Sequence, residues 1–241
     1  PVNRTFEGKS IITVNKPREM QLVLGAQYEV TQAEFNEGPL GIGREQANQP
    51  HVWNIPFPFR QQIQFLIQWK GTLAPLDDSL DHQQTLGRPV AVSGEAGTFL
   101  PDASDWYPRV AGHFARYKVN IELPSGQKGL VAGRLIEEND SKQGYQASFE
   151  FPYPAEGIDL IAGPYAVETQ RYQNINNKPI QLRTYFHQQI SSLSKDYLDA
   201  VKRYLEMYEF WIGDYPYTEF SIVSSPTPTG FGMPTMTYLG I

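Results

Sequence analysis

From the N-terminus to about residue 185, apolar and polar positions alternate with a period of two. Ile63, Phe65, Ile67 and Trp69 alternate with Gln62, Gln64 and Gln68, which predicts a half-buried strand. Tyr117, Val119, Ile121 and Leu123 alternate in the same way with Lys118, Asn120 and Glu122, and Pro124-Ser125-Gly126 then turns the chain. Tyr145, Ala147, Phe149 and Phe151 form another run, followed by Ile158–Ala162, Tyr165–Thr169 and Ile180–Tyr185. No stretch of this part has helical spacing. Short strands at regular intervals, with no helices between them, predict antiparallel sheets in a sandwich- or saddle-like domain. The Pro/Gly/Asn-rich stretches Asn36–Pro58, Ala74–Pro89 and Ala96–Pro108 read as loops, the first and third long enough to suggest a functional role.

Near His187 the period changes. Ile190, Leu193, Tyr197, Val201, Tyr204, Tyr208 and Trp211 are spaced three or four apart, the stripe of an amphipathic helix. Ser192 or Ser194 suits its N-cap and Asp196 its first turn. Asp199–Arg203 and Lys202–Glu206 sit one turn apart on the wet face. Gly213 ends the helix and Pro216 prevents its continuation. Phe220–Val223 reads as a strand, and a Ser/Pro/Thr/Gly loop leads into Met233–Leu239. The pattern therefore predicts a mainly β chain in two parts. Residues 1–185 form an antiparallel β domain, and residues 186–241 form the opening of an incomplete α+β domain.

Composition narrows the chemistry. The 241 residues include no Cys, which removes disulfides, thiolate metal ligands and thiol nucleophiles. The net charge of −6 and the absence of a Lys/Arg run argue against nucleic acid as a partner. No apolar run reaches the ~18 residues that would span a bilayer. The chain opens at Pro1 without a charged and apolar leader, so it is expected to be a processed or shortened form, and export to the periplasm or cell exterior is favoured.

Self-sufficient catalytic motifs are missing from the sequence. His51, His82, His113 and His187 are isolated from one another, so no H-E-x-x-H zinc motif exists, and each reads as a structural or surface residue. Gly41-Ile42-Gly43 lacks the third glycine of a phosphate-binding loop and reads as a turn. Asp77/Asp78 and Glu137/Glu138 are adjacent acids that would point to opposite faces of a strand, which makes a shared-proton pair improbable. Aromatics reach 13% of the chain, which raises a carbohydrate platform, but Trp53, Trp69, Trp106 and Trp211 are scattered and core packing accounts for them better.

The C-terminal segment Tyr204-Leu205-Glu206-Met207-Tyr208-Glu209-Phe210-Trp211-Ile212-Gly213-Asp214-Tyr215-Pro216-Tyr217, leading into Phe220-Ser221-Ile222-Val223, resembles the first helix and strand of the catalytic domain in the aminopeptidase N-like (gluzincin) zinc peptidases. Gly230-Phe231-Gly232-Met233-Pro234 stands where that family carries its G-x-M-E-N substrate-binding loop. Upstream, Ile67–Leu73, Phe99-Leu100-Pro101 through Trp106-Tyr107-Pro108, and Ile180–Phe186 resemble successive strands of the family's saddle-shaped β domain. The order of these segments, from about residue 60 onward, carries the resemblance.

The resemblance implies a parent protein that is a zinc-dependent aminopeptidase-like hydrolase acting on peptides, with this chain as its non-catalytic N-terminal portion. The family's zinc ligands and general base lie downstream of the substrate loop, so the chain itself is expected to hold no metal and no catalytic residue. Gly230, Phe231, Gly232, Met233 and Pro234 would line the substrate edge. Pro234 occupies or adjoins the place of the loop carboxylate that helps bind the substrate's free α-amino group, and Glu95 is the candidate N-domain residue that reaches the amine. Two alternatives stay open: a peptidase-derived binding or scaffold module without catalysis, and a carbohydrate- or partner-binding β domain. Without the missing C-terminal catalytic domain, part of the apolar helix stripe would be left bare, which predicts self-association of the chain.

Overall fold

The computed structural model describes residues 3–15, 19–36, 38–41, 43–44, 46–55, 62–77, 79–87 and 90–240. Pro1, Ile42, Glu45, Pro56–Pro58, Asp78, Pro89 and Ile241 lie outside the described residues. The protein is mainly β, as the alternation predicts, with one long helix near its C-terminal end.

Among the described residues the strands form five sheets. Ile63–Thr72 runs between Thr5–Val14 and Tyr28–Phe35, and Tyr28–Phe35 is bordered by Gly38–Pro39. The side chains of Ile63, Phe65, Ile67 and Trp69 are buried, as their spacing predicts. Met20–Leu24 runs between His51–Ile55 and Arg109–Val110. Gly144–Ala155 runs between Ala115–Leu123 and Arg134–Ser141, with Tyr145, Ala147, Phe149 and Phe151 buried. The Pro124-Ser125-Gly126 turn forms as predicted: Gln127 N–H donates to Pro124 O at 3.2 Å and Gly126 takes a φ of +82°. A fourth sheet orders Lys128–Val131, Leu160–Gly163, Thr98–Leu100, Val92–Ser93 and Ala74–Pro75.

Three stretches read as loops carry regular structure. Asn36–Pro58 contains the strand His51–Ile55, in which His51, Trp53 and Ile55 are buried. Ala96–Pro108 contains the strand Thr98–Leu100 and a 3-10 turn at Asp102–Ser104. Ala74–Pro89 contains the short helix His82–Gly87, so helix is present before residue 185. Asp81 and Gln84 form a reciprocal capping box at its start: Gln84 N–H donates to Asp81 Oδ1 at 2.8 Å, and Asp81 N–H to Gln84 Oε1 at 2.9 Å.

The fifth sheet runs Tyr165–Gln173, Pro179–His187, Glu219–Ser225, Met236–Gly240 and Phe231–Met233. It is mixed. Pro179–His187 pairs in parallel with Glu219–Ser225, which pairs in parallel with Met236–Gly240. The helix Ser194–Trp211 makes the crossover that parallel pairing requires. One face of this sheet joins the main core through Tyr185, Val223, Met236 and Tyr238. The other face, with Tyr172, Ile180 and Leu182, receives the helix.

The helix is rotated from its predicted setting. Its buried side chains are Ser194, Leu198, Leu205 and Glu209, whereas Tyr204, Tyr208 and Trp211 point outward. Neither serine caps the start: Leu193 is the N-cap without a side-chain hydrogen bond, and a 3-10 segment over Gln188–Leu193 precedes it. The surface ion pairs also differ, with Lys195 on Asp199 at 2.7 Å and Lys202 on Asp199 at 3.7 Å. The aromatics Tyr204, Tyr208 and Trp211 define the stripe in the sequence, yet all three face solvent. The sheet face with Tyr172, Ile180 and Leu182 packs Leu198 and Leu205, each one position after a tyrosine of the predicted stripe, a rotation of about 100°.

Candidate functional site

The edge of the fifth sheet is built from Phe231–Met233, paired antiparallel with Met236–Tyr238. Pro234 and Thr235 make the connecting turn, and Thr235 takes a φ of +66°. Buried contacts support that left-handed residue: Gly133 N–H donates to Thr235 Oγ1 at 2.7 Å, and Ser221 N–H to Thr235 O at 2.8 Å. The predicted continuous segment Met233–Leu239 is therefore a hairpin.

Phe231 is 58% exposed, a Cβ built on Gly232 would meet nothing within 4 Å, and among the described residues no strand pairs with the outer side of Phe231–Met233. An open edge presents alternate backbone amides and carbonyls to whatever lies beside it. Gly230 sits closer in, where a built Cβ would approach Tyr238 O at 3.1 Å, and Pro234 is exposed.

Glu95 is exposed in the tight turn between Val92–Ser93 and Thr98–Leu100. Gly94 and Gly97 exchange backbone hydrogen bonds across it, at 2.8 and 3.3 Å. The strand after the turn packs its Phe99 ring against Tyr238, with centroids 5.2 Å apart, and Tyr238 lies opposite Phe231 in the hairpin. The turn itself is bonded to the fifth sheet, because the His187 ring contacts Ala96 O at 2.6 Å. The structure thus attaches the Glu95 turn and the Gly230–Pro234 edge to one sheet.

Several polar residues beside this sheet were not singled out from the sequence. Asp159 accepts from Asp102 N–H at 2.7 Å, and the Tyr107 hydroxyl donates to Asp102 Oδ1 at 2.7 Å. Burial raises the Asp159 carboxyl above its ordinary range, and the nearby Asp102 charge adds to this, while the Asp102 amide and the Tyr238 hydroxyl pull it down. Burial raises the Tyr238 phenol as well, reinforced by Asp159. Glu219 is buried and accepts from Arg183 Nη1 at 2.7 Å and from Leu135 N–H at 3.0 Å, which joins the sheet to Arg134–Ser141. No sequence signal marks Asp159 and Glu219, because their partners Asp102, Leu135 and Arg183 lie far away along the chain.

His51 and His187 are buried and His113 is exposed. Trp53, Trp69 and Trp106 are core residues whose indole N–H groups donate to Gly41 O, Trp106 O and Ile158 O, whereas Trp211 is 75% exposed. Among the described residues, no group of three or more His, Cys, Asp or Glu side chains is placed to hold a metal ion. No described helix is long and apolar enough to cross a membrane.

No protein-family model matches the chain, and no curated protein is similar to it in sequence. Solved structures are similar in fold. An M1 zinc metallopeptidase from Deinococcus radiodurans superposes on 99% of this chain with a TM-score of 0.78 at 16% identity. A two-domain M1 zinc metallopeptidase variant bound to L-arginine superposes on 100% of the chain with a TM-score of 0.76 at 16% identity. Legionella pneumophila aminopeptidase A in complex with aspartic acid superposes on 97% with a TM-score of 0.72 at 12% identity. The chain spans 57% of the length of the arginine-bound enzyme and 28% of that of the Legionella enzyme. Over its whole described length, this protein has the fold of a part of the M1 zinc metallopeptidases.

Proposed function

We propose that the chain is the non-catalytic N-terminal portion of a zinc-dependent, aminopeptidase-like metallopeptidase and forms one side of its substrate cleft. The observation that carries this reading is the likeness in fold over essentially the whole chain to M1 enzymes, one of them solved with Tyr-Ser-Ala as its substrate. In this reading residues 1–185 are the β domain and residues 186–241 the start of a catalytic-type domain.

A bound peptide would lie along Phe231–Met233 as an added strand, with Gly230 and Gly232 leaving its backbone room to approach. Glu95 would supply a carboxylate for the free α-amino group, which a charge-assisted hydrogen bond favours over a neutral contact. Pro234 offers no carboxylate at the edge, so amine recognition would rest more heavily on the Glu95 turn. Among the described residues no group of side chains fits a zinc site, and zinc would enter as the parent enzyme's cofactor.

The exposed Pro234 favours one other reading, a peptidase fold retained for binding alone. The two separate experimentally. The full-length protein and the 241-residue chain are assayed on an aminoacyl p-nitroanilide panel, with and without a chelator. Chelator-sensitive hydrolysis by the full-length protein and none by the chain is expected. A full-length protein that takes up no zinc and hydrolyses nothing on the panel would instead establish the binding reading.

A further inference from the structure

We infer that His187 is a positioning residue for the turn that carries Glu95, locking that turn to the sheet whose edge is Phe231–Met233. The inference rests on the reading of Glu95 given above and names the group that holds it.

His187 is 3% exposed and ends the strand Pro179–His187, opposite Tyr165 in the register. Its backbone N–H donates to Ser224 Oγ at 2.9 Å, its Nδ1 lies 2.6 Å from the same oxygen, and its Nε2 lies 2.6 Å from Ala96 O. The Tyr165 ring stands edge-on to the imidazole, 5.0 Å between centroids. A carbonyl oxygen can only accept, so Nε2 carries the hydrogen. In the neutral ring Nδ1 is then an acceptor, and the Ser224 hydroxyl, which accepts from the His187 amide, turns its one hydrogen to Nδ1 at 2.6 Å in preference to the more distant Tyr185 O at 3.3 Å. One tautomer satisfies both ring nitrogens, which fixes the orientation of the imidazole.

The geometry links three elements through one side chain. Ala96 adjoins Glu95, and Ser224 lies in Glu219–Ser225, the strand that leads through residues 226–230 to the open edge. Within the turn the ties are the Gly94–Gly97 backbone pair and a contact between Ser93 Oγ and Thr98 Oγ1 at 2.8 Å, while its flanks pair through Ser93 with Pro75 and through Thr98 with Ala162. Without the imidazole, the Ala96 carbonyl and the buried Ser224 hydroxyl would both lose a partner. The tip of the turn at Glu95 and Ala96 would lose its tie to the fifth sheet, and the carboxylate of Glu95 would be held less firmly relative to the edge.

The test uses the full-length protein carrying His187→Ala, His187→Gln, Ser224→Ala or Glu95→Gln. A glutamine amide can reach the place of Nε2 and keep the bond to Ala96 O, so it serves as the conservative rescue. Amide hydrogen exchange at residues 94–97 should quicken about tenfold in His187→Ala, with the helix Ser194–Trp211 unchanged, and return towards wild type in His187→Gln. KM for substrates with a free amino group should rise about three- to tenfold, with kcat within about twofold, and this rise should not add to that of Glu95→Gln. If His187→Ala does not fold, Ser224→Ala carries the exchange test, since it removes only one hydroxyl. Unchanged exchange at 94–97 overturns the clasp. Quickened exchange with KM unmoved, in an enzyme whose KM does respond to Glu95→Gln, overturns the positioning role. A Glu95→Gln enzyme with wild-type KM removes the Glu95 reading itself, and with it the role inferred for His187.

Discussion

Gly97 takes a φ of +142°, and a Cβ built there would lie 2.4 Å from Ala162 O. Both the backbone conformation and the close approach exclude a side chain, so Gly97→Ala should destabilise the protein by ~1–3 kcal/mol in urea unfolding. Asp159 gives a test in pH. Its carboxyl titrates above the ordinary range in the fold, chiefly through burial, so the native state holds a proton that the unfolded chain has already lost. Its contribution to stability therefore falls as pH rises from the ordinary carboxylate value through the raised one, and at neutral pH the buried charge is a net cost. Asp159→Asn keeps an acceptor for the Asp102 amide. It should raise the melting temperature at neutral pH and flatten the decline in stability above the ordinary carboxylate range. A lower melting temperature at neutral pH would mean that the charge itself is required.

At the scale of elements, the helix Ser194–Trp211 separates what its sequence suggests from what its neighbours allow. Leu205 is buried against the sheet face that carries Tyr172, Ile180 and Leu182, while Trp211 is 75% exposed. Leu205→Ala should cost ~2–5 kcal/mol, and Trp211→Ser should stay within about 0.5 kcal/mol, both read from denaturant midpoints. The reverse ranking would restore the setting that the aromatic spacing suggests. Glu209 shows why that spacing misleads. It lies on the buried face, where its carboxylate accepts from the Tyr172 hydroxyl at 3.2 Å and from Tyr215 N–H at 3.3 Å. A charged residue would not be assigned to the core by any hydrophobic pattern, yet these donors compensate its burial. The strand His51–Ile55 and the helix His82–Gly87 both lie in stretches whose composition reads as loop. The first buries His51, Trp53 and Ile55, so its apolar residues do not alternate, whereas the second did carry a local signal, a cap residue three positions before its partner.

For the whole molecule, the outer face of the helix is the feature that bears on assembly. Tyr204 and Tyr208 stack with centroids 6.2 Å apart, and Phe210, Trp211 and Ile212 continue the exposed apolar surface. Exposed aromatic surface of this kind favours association. The 241-residue chain is expected to self-associate in sedimentation velocity as its concentration rises, and Tyr204→Lys with Trp211→Lys should shift it towards monomer. A wild-type chain that stays monomeric throughout the concentration range would overturn this expectation.

Local pattern determined the β class, the long alternating strands from Ile63–Thr72 onward such as Ala115–Leu123, Gly144–Ala155 and Pro179–His187, the long helix and its end, and the absence of a catalytic motif, because each depends on side chains a few residues apart. Gly213, for example, ends the helix with a φ of +120°, as its place in the sequence predicts. Tertiary structure alone decided the parallel pairing of Pro179–His187 with Glu219–Ser225, the face that the helix buries, and the environment of Asp159. It also decided that Ala96 and His187, 91 positions apart, share a hydrogen bond. Such contacts are set by the packing of distant segments, and periodicity along one segment carries no information about them.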